Sequence, residues 1–174
     1  MRLILCAMAL LFLPTCGTST LPTYVQLGDL RILTLQAQSN QSEVNPGTSG
    51  VTIQPVVSDI NGGGRTLTVT VQTCADPGIS LGAPPQCANV DSTSTSSFST
   101  TTLSVNSTYT GLAPTVTVNV PASPTNYAAA TTVEQYNGVA YLVFYTLSAS
   151  DGTSVTAFKR IMVSSPSKVT KNLN

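Results

Sequence analysis

Cysteine is the most reactive side chain in this sequence, and it occurs four times, at Cys6, Cys16, Cys74 and Cys87. Histidine does not occur, so neither a Ser-His-Asp or Cys-His catalytic arrangement nor a histidine-ligated zinc ion can form. The seven acidic residues are scattered, mostly in turns, and their spacing suggests no carboxylate pair for acid–base catalysis. We therefore predict no catalytic residue, no metal ligand and no cofactor, and we expect a protein that is not an enzyme.

The N-terminal segment is typical of an export signal. Arg2 precedes an apolar run over residues 3–13, and Pro14 ends this run well short of the roughly 20 residues that a membrane-spanning helix needs. A buried core helix is the alternative, but nothing polar in the run marks a solvent-exposed face. We expect a secretory signal that is not part of the folded domain.

The end of this signal contains the most specific motif of the chain. Leu13-Pro14-Thr15-Cys16 resembles the lipobox of bacterial lipoproteins, although Thr15 stands where Gly, Ala or Ser is usual. The resemblance implies cleavage before Cys16, a diacylglycerol on its thiol and an acyl chain on its amine, which together would anchor the protein. Gly17 is not the aspartate that retains many bacterial lipoproteins in the inner membrane, so the resemblance implies the outer membrane. In the alternative, ordinary signal peptidase cleaves, Cys16 stays a thiol and the protein is secreted.

The remaining cysteines, Cys74 and Cys87, form an even pair in a chain that we expect to reach an oxidising compartment. They bracket a loop rich in Pro and Gly, in which Asp76-Pro77-Gly78 is a strong turn signal. The sequence predicts a disulfide, which would stabilise a loop of this length by roughly 3 kcal/mol in the chain-entropy model. Two free thiols or a metal-binding pair are the alternatives.

Charge is scarce and balanced in this chain. Seven Lys and Arg stand against seven Asp and Glu, and charged residues make up 8% of the sequence, against about 25% in an average soluble domain. The 27 Thr and 20 Ser supply much of the polar surface instead. Lys159-Arg160 is the one adjacent pair of basic residues, so nucleic acid is excluded as a partner.

Apolar and polar residues alternate in the strand period along most of the chain, with turn signals between the runs. Asp151-Gly152 between two apolar runs is a strong hairpin signal. Residues 92–110, in which 14 of 19 are Ser or Thr, predict either a mobile loop or an exposed edge strand. No run of ten or more residues has a convincing helical period. The predicted strands cover residues 30–37, 51–58, 67–73, 116–120, 139–149 and 155–163.

Short strands at this spacing, about seven in all, predict an all-β sandwich. Pro55 inside a predicted strand indicates an edge position or a bulge, because proline cannot donate to the ladder. The alternation also predicts which side chains face the core, namely Leu33, Leu35, Ala37, Val51, Ile53, Val57, Leu67, Val69 and Val71.

The order of these features resembles the immunoglobulin-like modules of Gram-negative cell-envelope lipoproteins. The residues that carry the resemblance are Leu30–Leu33, Pro46-Gly47, Asp59, the Cys74–Cys87 loop, Lys159-Arg160 and Ile161–Val163. It covers residues 24–165 and implies an antiparallel immunoglobulin-like β-sandwich with a Ser/Thr-rich loop. Two departures from antibody-type domains are the absence of Trp and a cysteine pair that is local and does not join the sheets.

Three further features have ordinary structural interpretations that we favour. Residues 59–62, Asp-Ile-Asn-Gly, look faintly like a calcium loop but supply too few carboxylates, so we predict a turn. Lys159 and Arg160 are adjacent in a strand and should point to opposite faces, where solvent contact is the expected role. Five tyrosines either pack in the core and its rim or form a sugar-stacking platform; they are Tyr109, Tyr127, Tyr136, Tyr141 and Tyr145.

These observations predict a signal peptide at residues 1–15, a tether at 16–23, a sandwich at 24–165 and a linker-like tail at 166–174. We expect a non-enzymatic, lipid-anchored envelope protein with a structural, adhesive or protein-binding role. Its expected partners are the membrane, through lipid on Cys16, and an envelope protein or a glycan. The alternative function is a carbohydrate-binding or accessory subunit of a surface complex.

Overall fold

The computed structural model describes residues 28–38, 41–78, 83–103, 109–122 and 130–164. The predicted signal, tether and tail, with Cys16, lie outside these residues. The strands within them are β1 (Arg31–Ala37), β2 (Glu43–Val44), β3 (Val51–Ser58), β4 (Thr66–Ala75), β5 (Ser92–Ser99), β6 (Thr110–Leu112), β7 (Val116–Val118), β8 (Val139–Ala149) and β9 (Ser154–Val163). A short helix, α1 (Thr132–Asn137), precedes β8, and 3-10 turns occupy Ile60–Gly62 and Thr100–Thr102.

Two sheets pack against each other and confirm the predicted all-β sandwich. In sheet A, β3 lies between β1 on one side and β6 and β7, placed end to end, on the other. Sheet B has the order β2-β9-β8-β4-β5. All pairs are antiparallel except that of β2, whose two residues run parallel to β9. The predicted antiparallel sandwich therefore has one short parallel pair, at the β2 edge of sheet B.

One hydrophobic core fills the space between the sheets. The predicted inward residues of β3 and β4 are all buried, among them Val51, Ile53 and Leu67, which are fully inaccessible. The strand β8 contributes every second residue from Tyr141 to Ala149 to the same core. The Asp151-Gly152 hairpin is also confirmed, and Gly152 takes the positive φ of 87° that such a turn requires.

The outer face of sheet B is buried at one end, beside the disulfide. The structure bonds Cys74 to Cys87 as predicted, with 5.7 Å between the Cα atoms. Leu142 points outward from β8, opposite Cys74 on β4, yet both residues are fully buried. Pro85, which lies between the cysteines, and Val90, which follows them, border Phe144 on the same face. The disulfide therefore holds a small second apolar cluster on the side of the sheet that faces away from the core.

Two details of the predicted strands are wrong. Leu33 is exposed because the register between β1 and β3 shifts between Ile32 and Thr34, which leaves Leu33 in a bulge. Pro55 lies in the middle strand of sheet A and not at an edge. It is tolerated there because it stands opposite the break between β6 and β7, where the N–H of Ala113 donates to its carbonyl at 3.0 Å and no β6 or β7 residue is paired with Pro55.

Two further segments differ from the expected pattern. The expected Ser/Thr-rich loop begins as the eight-residue edge strand β5, which was the other alternative for this segment. Helix α1 was not predicted, although its signal is in the sequence. Thr131 and Glu134 form a capping box, in which the Thr131 hydroxyl accepts from the Glu134 N–H and the Glu134 carboxylate accepts from the Thr131 N–H.

Two buried tyrosines provide a test of the core. Tyr141 donates its hydroxyl to Oγ1 of Thr73 at 3.1 Å, whereas the hydroxyl of Tyr145 has no partner among the described residues. We expect Tyr145→Phe to raise the free energy of unfolding by about 1 kcal/mol, because it removes an unsatisfied polar group, and Tyr141→Phe to lower it by a similar amount. Urea denaturation of both variants measures this, and equal destabilisation by the two would contradict it.

Candidate functional site

A cleft opens between the two sheets along the inner side of β5. It encloses about 410 Å³. Hydroxyl, amide and carboxylate groups line it from both sheets, above a floor of valines. Its polar lining includes Thr73, Asp91, Ser92, Ser94, Thr117, Asn119 and Tyr141.

This cleft exists because sheet B is wider than sheet A at this side. β5 extends the sheet beyond β4, and Ser92, Ser94 and Ser96 on its inner face are exposed because no strand of sheet A covers them. Phe98, at the other end of the same face, is buried. The change from small hydroxyl side chains to an aromatic ring therefore decides where along β5 the sandwich is open and where it is closed.

A chain of hydrogen bonds runs from the core into this cleft. Tyr141 donates to Thr73, whose Oγ1 lies 2.8 Å from the hydroxyl of Ser92. Burial raises the pKa of Tyr141 to about 12, the Asp91 carboxylate adds to this shift, and the hydrogen bond to Thr73 opposes it. Tyr141 therefore stays neutral at physiological pH, and the cleft offers neutral hydroxyl groups and one carboxylate to a ligand.

A second cleft, of about 430 Å³, surrounds Arg65, the residue that precedes β4. Arg65 binds the fully buried carboxylate of Asp59 with two hydrogen bonds, from Nε at 2.9 Å and from Nη2 at 3.0 Å. Its Nη1 reaches the exposed carboxylate of Asp151 in the β8–β9 hairpin, at 2.5 Å. Arg65 therefore ties the turn after β3 to the hairpin that joins β8 and β9.

Residues 60–62 form a 3-10 turn where the sequence predicts a turn, and Gly62 is required there. A Cβ on Gly62 would lie 1.9 Å from Oδ2 of Asp59, so any other residue would displace the carboxylate that Arg65 binds. Among the described residues, no three Cys, Asp or Glu side chains lie close enough together to hold a metal ion. Arg65 binds two of the carboxylates near this turn, those of Asp59 and Asp151, and so joins two segments of the fold.

Arg160 performs the same kind of joining at the disulfide loop. Its Nε donates to Oδ2 of Asp76 at 2.8 Å, and its guanidinium lies 5.6 Å from the ring centre of Phe158. Oδ1 of Asp76 accepts the N–H of Gly78 at 2.9 Å and so shapes the turn that the sequence predicts. As expected for adjacent strand residues, Arg160 faces outward from sheet B, and Lys159, opposite Val143, faces the other way.

The structure assigns the tyrosines of the described core to packing. Tyr141 and Tyr145 are each 1% exposed, so neither can stack on a sugar ring from the surface. Tyr109 is partly exposed and adopts a left-handed backbone, with φ of 57°, beside Gly64. Tyr127 and the side chain of Tyr136 lie outside the described part of the structure, as does the predicted lipid site Cys16.

Arg65 is the residue that the sequence analysis missed. It is a lone cation after three glycines, and one of its partners, Asp151, is 86 residues away in the chain. No local spacing signals such a pair.

No protein-family model, curated protein or solved structure matches this chain.

Among the described residues, no helix has both the length and the apolar composition of a membrane span.

Substitution of the two partners of Arg65 separates a buried ion pair from an exposed one. We expect Asp59→Asn to lower the free energy of unfolding by about 3 kcal/mol, because Arg65 loses its buried partner. Asp151→Asn should cost less than about 1 kcal/mol, because this carboxylate is half exposed. Urea titrations monitored by circular dichroism compare the two, and equal costs would contradict the assignment.

The raised pKa values of Tyr141 and Tyr145 predict how stability depends on alkaline pH. Burial raises both above the ordinary value of 10. The free energy of unfolding should be unaffected by these tyrosines below pH 10 and fall as the pH rises from 10 to 12, because the unfolded chain ionises first. Unfolding free energies between pH 9 and 12 measure this, with Tyr141→Phe/Tyr145→Phe as the control that should flatten the decline. Full phenolate absorbance in a folded protein near pH 10.5 would contradict it.

Proposed function

We propose that this protein is a non-enzymatic, lipid-anchored module of the cell envelope, with an immunoglobulin-like β-sandwich that has a structural, adhesive or protein-binding role. The observation that carries the proposal is the Cys74–Cys87 disulfide, read together with the lipobox-like motif at Cys16. Structural disulfides persist in oxidising compartments and are rare in the cytosol, so the bond favours an exported chain.

The strand order supports the immunoglobulin-like part of the proposal. Consecutive strands β3 and β4 lie in different sheets, β8 and β9 pair as a hairpin beside β4, and the first part of the chain contributes one strand to each sheet. Immunoglobulin-type sandwiches distribute their strands in the same manner. The disulfide of this chain lies at the end of β4, beside the outward-facing Leu142, and the core cluster of the described residues between the sheets contains no cysteine.

The charged groups favour a role in binding or support over catalysis, because three of the described carboxylates are used in ion pairs within the fold. The chain has no histidine. The carboxylates of Asp59, Asp76 and Asp151 each bind an arginine and so contribute to the fold. What the surface offers a partner is a rigid frame with hydroxyl groups and few charges.

The second candidate function is glycan binding in the inter-sheet cleft. Its hydroxyl and amide lining, with Asp91 at the rim, is suited to a neutral polyhydroxylated ligand. The buried tyrosines of the described core count against a stacking platform. Binding that Asn119→Ala weakens, measured by calorimetry with envelope oligosaccharides, would favour this candidate over the first.

Intact mass spectrometry of the membrane-extracted protein tests the anchor. We expect a mass that begins at Cys16 and includes acyl chains, and no alkylation of Cys74 or Cys87 before reduction. Cys16→Ser is the matched control, which should abolish acylation and leave the disulfide intact. An unlipidated mass that begins elsewhere would contradict the anchor and assign the protein to a secreted class.

The expected membrane can be tested on the same chain. Gly17→Asp should move the protein from the outer-membrane to the inner-membrane fraction of a Gram-negative host if Cys16 is the acylated first residue. Gly17→Ser is the control and should leave the distribution unchanged. An identical distribution of all three forms would contradict the outer-membrane placement.

A further inference from the structure

The free edges of the two sheets differ in how well they are protected. Proteins protect exposed edges with charged side chains, prolines, bulges or very short strands, because an open edge can pair with another chain. The β1 edge has a bulge at Leu33, β2 has two residues, and β6 and β7 have three each with Pro114 between them. β5 has none of these protections.

The edge strand β5 is long, regular and uncharged. Its eight residues, Ser-Thr-Ser-Thr-Ser-Ser-Phe-Ser, pair with β4 without a register shift from Thr66↔Ser99 to Thr73↔Ser92. It spans about 27 Å, and the side chains of residues 92–97 are exposed on both faces. No described strand pairs with its other side. This edge is the one most open to an added strand.

The hydrogen-bond pattern shows which backbone groups of β5 are available. The N–H of Thr100 donates to the carbonyl of Arg65 at 3.2 Å, in register with the β4–β5 ladder. Because bonded pairs alternate along antiparallel strands, the even-numbered residues of β5 bond to β4. The N–H and C=O groups of Thr93, Thr95 and Ser97 therefore point to the free edge.

We propose that β5 pairs antiparallel with β5 of a second copy of this chain, so that the two B sheets join into one continuous sheet. Self-pairing brings no like charges together, because β5 carries none. The exposed side chains of residues 92–97 are small hydroxyls that can each donate and accept a hydrogen bond, so an identical strand matches them at every position. The complementarity that β5 offers is to a strand like itself.

Sheet B already uses the side-chain pairing that this interface needs. Hydroxyls on neighbouring strands lie within hydrogen-bond distance at Thr146 and Thr156, 2.9 Å apart, and at Ser148 and Ser154, 3.1 Å apart. Such cross-strand Thr and Ser pairs stabilise a sheet by about 0.2–1 kcal/mol each. Pairing of β5 with its copy would continue these rows of hydroxyls across the dimer.

The pleat restricts the register of the pair. A two-fold axis perpendicular to the sheet keeps the inner faces of both copies on one side, so residues of the same parity must stand opposite each other. The axis then passes through Thr95 or through Ser96. In either register a lysine at position 95 would place two positive charges beside the axis, within the distance at which like charges destabilise a strand pair.

This inference does not rest on the lipid anchor, and its test gives a separate answer. The full chain, as purified from its host in a density-matched detergent, is examined by sedimentation velocity over a range of concentrations. We expect a reversible dimer for the wild type. Thr95→Lys should raise the dissociation constant at least about tenfold.

Thr68→Lys is the matched control. Thr68 is exposed on the same outer face of the sheet, on β4, and its side chain lies away from the free edge. It adds the same charge, and we expect the dimer to persist. Unchanged circular dichroism and melting temperature of both variants establish that they fold. A monomer at every concentration, or a dimer that Thr95→Lys leaves intact, would overturn the proposal.

Hydrogen exchange on the wild-type chain supplies a second measurement that needs no variant. The amides of Ser94 and Ser96 bond to β4 and should be protected at every concentration. The amides of Thr93, Thr95 and Ser97 should become protected only as the dimer forms. Protection of the odd-numbered amides that does not change with concentration would mean that another segment of the same chain covers the edge, and it would overturn the proposal.

Discussion

The need to bury the inner face of β8, together with Leu142 on its outer face, determines how the rest of this structure is arranged. From Tyr141 to Ala149 its alternate side chains enter the core between the sheets, while Leu142 on the opposite face is equally inaccessible. A strand with buried residues on both faces lies inside its sheet, as β8 does between β9 and β4, and needs other residues packed against each face. Sheet A covers the inner face, and on the outer face Leu142 lies opposite the disulfide-bonded Cys74. The disulfide therefore contributes to the burial of β8, although it lies outside the core between the sheets.

Scarcity of charge gives the few ion pairs of this chain a specific distribution. Arg65 and Arg160 each bind a carboxylate that is largely or fully buried, that of Asp59 or that of Asp76, and Arg65 also reaches the exposed Asp151 in the β8–β9 hairpin. Across the sheet surface, pairs of Ser and Thr hydroxyls take the place that charged pairs have in most proteins. Such a surface is hydrated but neither attracts nor repels a partner over long distances.

The same composition explains why one edge of the sandwich is open. Lysine at an edge strand prevents association, and this chain has almost no lysine in its sandwich. The exposed row of hydroxyls on β5, the polar cleft beside it and the lack of a covering strand are three consequences of one Ser/Thr-rich segment. A module held at a membrane at high local concentration would bring such edges together often, which connects the proposed anchor with the proposed pairing without making either depend on the other.

Local pattern was enough to predict most strands of this protein, its hairpin and its disulfide, because alternation, Asp-Gly and cysteine spacing are properties of neighbouring residues. The helix cap at Thr131 and Glu134 was equally readable but was missed. The positions of Leu33, Pro55 and Arg65 were decided only in the tertiary structure. Leu33 is exposed by a register shift against another strand, Pro55 is accommodated by a break in a strand about 60 residues later, and Arg65 is paired with a hairpin 86 residues away. Each depends on which distant segments meet, and that is set by burial of the whole core, which no local spacing records.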